Sequence, residues 1–102
     1  HVHRRQGLLA LARQEPIHDR MTLSVLRRAG LIRRDGVPTD AGRAQAAKAM
    51  LDEQRWALVR RLYTDTARAG RYDGVTPIEK VLTRDEIAEI DRKLGPPKEV
   101  PA

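Results

Sequence analysis

The side chains able to ligate a metal in this 102-residue chain are three histidines and fourteen acidic residues; cysteine is absent. That absence removes thiolate metal sites, disulfides and a thiol nucleophile, and it fits a reducing compartment. His1 and His3 stand at i, i+2, a spacing that chelates on an extended chain, but at a terminus the pair reads as a ragged end. His18 adjoins Asp19, the position of a helix N-cap, and a loop histidine there reads first as surface. Glu79, Asp85, Glu86, Glu89 and Asp91 form an acidic cluster of the type hard cations use. Their spacing follows helix starts rather than a ligand loop, so they read as caps and dipole partners. His18, Asp19 and Glu79 are the nearest approach to metal ligands, and no ligand set follows from them. No Gly-rich phosphate loop and no supported Ser/His/Asp arrangement is present. The expectation is a protein without cofactor, small-molecule substrate or catalytic activity.

Basic residues make a stronger pattern. Residues 1–50 carry ten Lys/Arg against four Asp/Glu, and residues 51–102 carry ten of each, so the whole net charge of +6 lies in the first half. A basic half can meet nucleic acid, anionic lipid headgroups or an acidic protein, with Arg20, Arg27, Arg28, Arg33 and Arg34 the candidate contacts to nucleic acid or an anionic surface; the competing reading is a soluble Arg-rich surface. Arg4 and Arg5, just before an apolar stretch, suit the cytoplasmic flank of a membrane span. No apolar run is long enough to cross a bilayer, and no signal-peptide pattern occurs. The chain begins with His1 rather than Met, which points to a fragment or processed product.

The elements that position these residues centre on Arg27 to Arg43. A helix of about residues 4–14, with Leu8, Leu11 and Ala12 inward, precedes a breaker at Pro16. Asp19 caps a second helix from Arg20 to Ala29, whose apolar stripe is Met21, Val25 and Ala29, widened by Leu26. Gly30 stops it. Leu31 to Arg34 reads as a short strand, Asp35-Gly36 as a hairpin turn, and Val37-Pro38 as an edge return strand. Thr39 caps a helix running from Asp40 to Ala69, about 45 Å long at 1.5 Å per residue. Its stripe is Ala44, Ala47, Leu51, Leu58 and Leu62, widened by Met50, Trp56, Val59 and Tyr63. A rod of that length either bends near Asp52-Glu53 or meets another molecule, which makes Leu51, Trp56, Val59 and Tyr63 the candidate partner interface. Core packing is the competing reading of Trp56 and Tyr63. Two capping boxes, Thr76-Pro77-Ile78-Glu79 and Thr83-Arg84-Asp85-Glu86, open a closing helical pair with Ile87, Ile90 and Leu94 inward. The predicted class is mainly α: a winged-helix-like half of two helices and a small β-hairpin (1–43), joined by a long helix to a short C-terminal helical pair (44–102).

Gly30-Leu31-Ile32, Thr39-Asp40-Ala41-Gly42-Arg43, the long helix and Ile78-Glu79-Lys80-Val81-Leu82-Thr83 resemble iron-dependent repressors of the diphtheria-toxin-repressor type. A closer resemblance is to the repressor-like cytoplasmic C-terminal domain of some bacterial metal ABC transporter permeases. It is carried by Arg4 to Ala12, Tyr72-Asp73-Gly74-Val75-Thr76-Pro77-Ile78-Glu79 and Leu82 to Asp91, and it spans nearly the whole chain. The resemblance implies an accessory or regulatory domain of a manganese, iron or zinc importer, on the cytoplasmic side of the inner membrane within a larger membrane protein. Its partners would be a second copy, the transporter subunits and the anionic membrane surface. Two departures matter. Lys80 stands where the repressors carry a histidine ligand, and a protonated ammonium cannot bind a metal. Only four residues, Glu15 to His18, separate the first two helices, too few for the middle helix of a winged helix. The alternative expectation is a winged-helix DNA-binding regulator of metal homeostasis, with Arg20, Arg27 and Arg28 on the recognition helix and Arg33 and Arg34 on the wing.

Overall fold

The computed structural model describes residues 2–63 and 69–95. It is mainly helical: α1 (Val2–Ala12), α2 (Arg20–Arg28), α3 (Asp40–Leu62) and α4 (Arg84–Leu94), with single 3₁₀ turns at Ala69–Arg71 and Ile78–Lys80. The chain divides into two compact units, His1–Met50 and Leu51–Ala102. The division lies inside α3, beyond the 43/44 boundary drawn from the sequence.

In the first unit α1 packs on α2. Their close approach depends on Gly7, since a Cβ there would lie 2.8 Å from side-chain atoms of both Leu26 and Thr22. Leu8, Leu26, Leu31, Ile32, Ala46 and Ala49 form the core, with Leu11, Ile17 and Leu23 packed around it. Asp19 caps α2 as expected, its carboxylate accepting the Thr22 N–H at 3.0 Å and the Thr22 hydroxyl at 2.7 Å. The inward stripe differs from the one read in the sequence. Thr22 and Leu26 are buried, while Met21 is 59 % exposed and Ala29 is exposed. The Thr22 hydroxyl, already bonded to Asp19, enters the interior without an unmet hydrogen bond, which turns the helix by one position.

The segment after α2 was expected to be a two-strand hairpin. Among the described residues it is reduced to one antiparallel bridge, Ile32 to Pro38. The Arg33 N–H donates to the Val37 carbonyl at 2.8 Å and the Thr39 N–H to Leu31 at 3.0 Å. Pro38 has no donor to extend a ladder, and the return arm is two residues long. Thr39 then joins α2 to α3: its hydroxyl donates to the Gly30 carbonyl at 2.7 Å and accepts the Gly42 N–H at 3.0 Å. Gly42 is the tightest point of this unit. A Cβ there would lie 1.9 Å from the Leu31 carbonyl oxygen, so only hydrogen fits.

α3 is unbroken through Asp52-Glu53 and ends at Leu62 rather than Ala69; residues 64–68 of the expected extension lie outside the described residues. At 23 residues it is about 34 Å long. Of the positions read as inward, Trp56, Leu58 and Val59 are buried and the rest of the stripe is not. Ala44 and Ala47 are exposed and Leu62 is 43 % exposed. Ala46 and Ala49 are buried in the first unit, and Asp52, Trp56, Leu58 and Val59 in the second.

The second unit closes on Trp56, Leu58, Val59, Ile78, Leu82 and Ile90. The first expected capping box does not form. The Thr76 hydroxyl donates instead to Asp73 at 2.6 Å, and the buried Asp52 of α3 accepts the Ile78 N–H at 2.8 Å, capping the 3₁₀ turn from across the unit. One half of the expected helical pair is therefore a single turn. The second box forms in full: Thr83 accepts the Glu86 N–H at 3.3 Å and Glu86 accepts the Thr83 N–H at 3.1 Å. No helix among the described residues is long and apolar enough to cross a membrane.

Candidate functional site

The five arginines singled out by charge all lie in the first unit and all are exposed. Arg20 opens α2, Arg27 and Arg28 form its last turn, and Arg33 and Arg34 occupy the tight turn that follows. The Arg27 guanidinium reaches the Arg34 carbonyl at 3.5 Å, which sets the turn beside the end of the helix. Arg33 faces the Asp35 carboxylate at 3.6 Å, both side chains more than half exposed, a geometry worth little in water. Among the described residues no carboxylate pairs with Arg20, Arg28 or Arg34.

α2 has a defined outward side. Thr22 and Leu26 point into the core, so at 3.6 residues per turn the opposite side falls on Arg20, Met21, Ser24 and Arg28. The segment contains no acidic residue between its Asp19 cap and Asp35. On the flank toward the turn lies a half-open cleft of about 290 Å³, lined by Leu11, Pro16, Ile17, Leu23 and Ile32, with Glu15 and Arg27 at its edge.

The metal-ligand candidates are not brought together. His18 is exposed in the loop. Asp19 is committed to Thr22, whose hydroxyl and then whose N–H hold its carboxyl below the usual carboxylate range. Glu79 faces Arg55 at 3.8 Å in the other unit. Among the described residues no three His, Asp or Glu side chains converge. Of the acidic cluster, Asp91 joins Glu79 at that arginine: it accepts hydrogen bonds from Nε and Nη2 of Arg55 at 2.8 Å each, and the pairing raises the guanidinium pKa further. A cation side chain thus holds the place between Asp91 and Glu79, and this donor set does not fit a metal ion.

Sequence reasoning missed one juxtaposition. His3 Nδ1 lies 3.5 Å from Asp19 Oδ2 and 3.4 Å from Thr22 Oγ1. The residue types resemble a nucleophile relay, but the geometry differs. A relay needs the carboxylate and the hydroxyl on opposite ring nitrogens, whereas both contacts here fall on Nδ1 and the hydroxyl donates to the carboxylate. No sequence motif joins residues 3 and 19; only the α1–α2 packing does.

Of the four expected partner residues, Trp56 (1 % exposed) and Val59 (0 %) are sealed in the core of their own unit. The Trp56 indole N–H donates to the Thr76 carbonyl at 3.0 Å, and its ring meets Tyr72 edge-on at 5.5 Å between centroids. Tyr72 in turn donates its hydroxyl to Glu53 at 2.5 Å and carries the Arg60 guanidinium over its ring at 4.5 Å. Trp56 and Val59 are corrected from partner contacts to core. Leu51 and Tyr63 remain partly exposed. No family model, no curated protein and no solved structure matches the chain.

Proposed function

We propose that the chain is a cytoplasmic accessory domain of a bacterial metal-ion ABC importer permease, regulating or stabilising the transporter through contacts rather than through metal sensing or catalysis. The observation that carries this reading is the basic face of the first unit. Five arginines are exposed on one helix and the turn beside it, and only Arg33 faces a carboxylate among the described residues. Long arginine side chains left this way are suited to binding and add little to folding. The resemblance of Arg4 to Ala12, Tyr72 to Glu79 and Leu82 to Asp91 to permease tails supports the setting. The Arg55 guanidinium, bonded to Asp91 and facing Glu79, supports contact over sensing. Self-association along α3 then falls to Leu51, Tyr63 and the exposed Leu62, not to Trp56.

An antibody to this domain, used on separated membrane and soluble fractions of the native cell, tests the proposal. The expected result is a membrane band much heavier than 11.5 kDa. A soluble band near that mass overturns it.

One observation favours a second reading, a degenerate winged-helix-like DNA-binding regulator. The end of α2 and the 33–36 turn are held side by side through Arg27, as a recognition helix and its wing would be. This reading expects retardation of duplex DNA with log affinity falling by about 0.9 per log salt for each phosphate contact. Absence of retardation at low salt removes it.

A further inference from the structure

The outward side of α2 is not purely basic. Met21 is 59 % exposed between Arg20 and the row of Ser24 and Arg28, and Val37, 45 % exposed, projects from the turn that carries Arg33 and Arg34. Two large exposed apolar side chains among these arginines gain nothing from the water they meet. They gain nothing from DNA phosphates either, which are met by guanidinium groups and polar donors. A bilayer interface rewards both features together, because arginines meet anionic headgroups while the apolar side chains enter the layer beneath.

We propose that the outward side of α2 and the 33–37 turn dock on an anionic lipid bilayer, with Arg20, Arg28, Arg33 and Arg34 on the headgroups and Met21 and Val37 inserted between them. The helix presents no acid to that surface, and the nearest carboxylates, Asp19 and Asp35, are engaged by Thr22 and by Arg33 and the Val37 N–H. The inference deepens the reading of this face as a contact surface by naming what it meets.

The test is co-sedimentation of the full chain with vesicles of roughly one-third phosphatidylglycerol in phosphatidylcholine, against pure phosphatidylcholine, at low and physiological salt. Binding to the anionic vesicles alone, weakened by salt, is expected. Each arginine near the surface is worth about fivefold in partition, so Arg28→Gln with Arg34→Gln lowers it about 25-fold. Met21→Ser leaves the charge unchanged and lowers it severalfold. All three positions are exposed, and circular dichroism checks that the variants keep their helices. Equal partition into neutral and anionic vesicles overturns the proposal, as does full binding by Met21→Ser. Retardation of duplex DNA without vesicle binding overturns it in favour of nucleic acid. A heavy membrane band in the fractionation experiment, with no vesicle binding, leaves the accessory-domain reading standing and removes this one alone.

Discussion

Arg55 and Arg28 are both helix-borne arginines in a chain rich in them, yet they have opposite fates. Arg55, 14 % exposed at its side chain, lies against the core of the second unit and gives two parallel hydrogen bonds to Asp91, with Glu79 nearby. Arg28 stands on the outer side of α2 in the first unit, with no carboxylate to meet it among the described residues. In the second unit charge is spent on internal wiring: Asp52 caps the Ile78 turn, Asp73 folds its own loop, and Glu53 and Arg60 hold Tyr72 from two sides. In the first unit Asp19 caps α2, Asp35 and Asp40 face Arg33 and Arg43, and Arg20, Arg27, Arg28 and Arg34 stand outward with no carboxylate partner among the described residues. Equal numbers of basic residues thus give one unit whose acids balance them and one that carries the whole net charge of +6.

If that contrast is right, the second unit breaks when its interior is touched and the first tolerates loss of its arginines. The largest effect falls at Trp56. Trp56→Ala removes a fully buried ring and the hydrogen bond to Thr76, and about 3–5 kcal/mol of stability is expected to go with it. Urea titration followed by far-UV circular dichroism measures the loss. A variant within about 1 kcal/mol of the parent, with sedimentation shifted toward monomer, would return Trp56 to a partner face.

Gly42→Ala is the corresponding probe of the first unit. Its methyl carbon would fall 1.9 Å from a backbone oxygen, not from a flexible side-chain end, so the start of α3 must move off Leu31. A loss near the top of the usual overpacking range, about 3 kcal/mol, is expected in the same titration.

Arg55→Met tests whether the second unit depends on its internal ion pairs. Asp91 would lose both bonds, although its 41 % side-chain exposure lets water replace part of them. The cost is expected to be about 1–3 kcal/mol, reduced further by high salt in the parent but not in the variant.

These expectations also mark what the sequence disclosed and what it hid. Caps whose two partners lie three residues apart were legible: Asp19 with Thr22, Thr39 with Gly42 and Thr83 with Glu86 all form. The Thr76 box failed because Asp73, three residues earlier, takes the Thr76 hydroxyl, while the Ile78 N–H is met by Asp52, 26 residues away. No local pattern announces that second partner. The helical period was right in α2 and the phase was not, because counting apolar residues passes over a buried threonine satisfied by its own cap. In α3 the same blindness missed Gly42 and Asp52, the two positions where closeness and hydrogen bonding, not hydrophobicity, decide which side faces in. Charge asymmetry between the halves located the arginine face. Trp56 was ambiguous because an aromatic residue on a long helix looks the same whether its own chain or another covers it.

A weaker effect, but a specific one, is expected at Asp73. Its carboxylate accepts the Val75 and Thr76 N–H groups at 2.8 and 2.7 Å and the Thr76 hydroxyl at 2.6 Å, which pulls its pKa down to about 2, the hydroxyl contributing most. A depressed folded value means that this turn is favoured above the ordinary value of 3.8 and loses that contribution as pH falls through about 2. The Thr76 amide proton in NMR spectra should titrate at about 2, and Asp73→Asn should remove the step. A midpoint near 3.8 would mean that the loop does not hold its carboxylate in solution.

The smallest effect on stability is expected where the proposed function is largest. Arg28→Gln with Arg34→Gln deletes two exposed charges that make no ion pair among the described residues, so unfolding in urea should change by no more than about 0.5 kcal/mol. Removing two of several like charges on one unit relieves repulsion, so any shift should be toward greater stability, larger at low salt than at high. A loss of more than 1 kcal/mol would show that these arginines are internal wiring like Arg55, and the contrast between the two units would dissolve. A neutral or slightly stabilising result has the opposite meaning: these arginines contribute nothing to the fold that carries them, and the contrast with Arg55 stands.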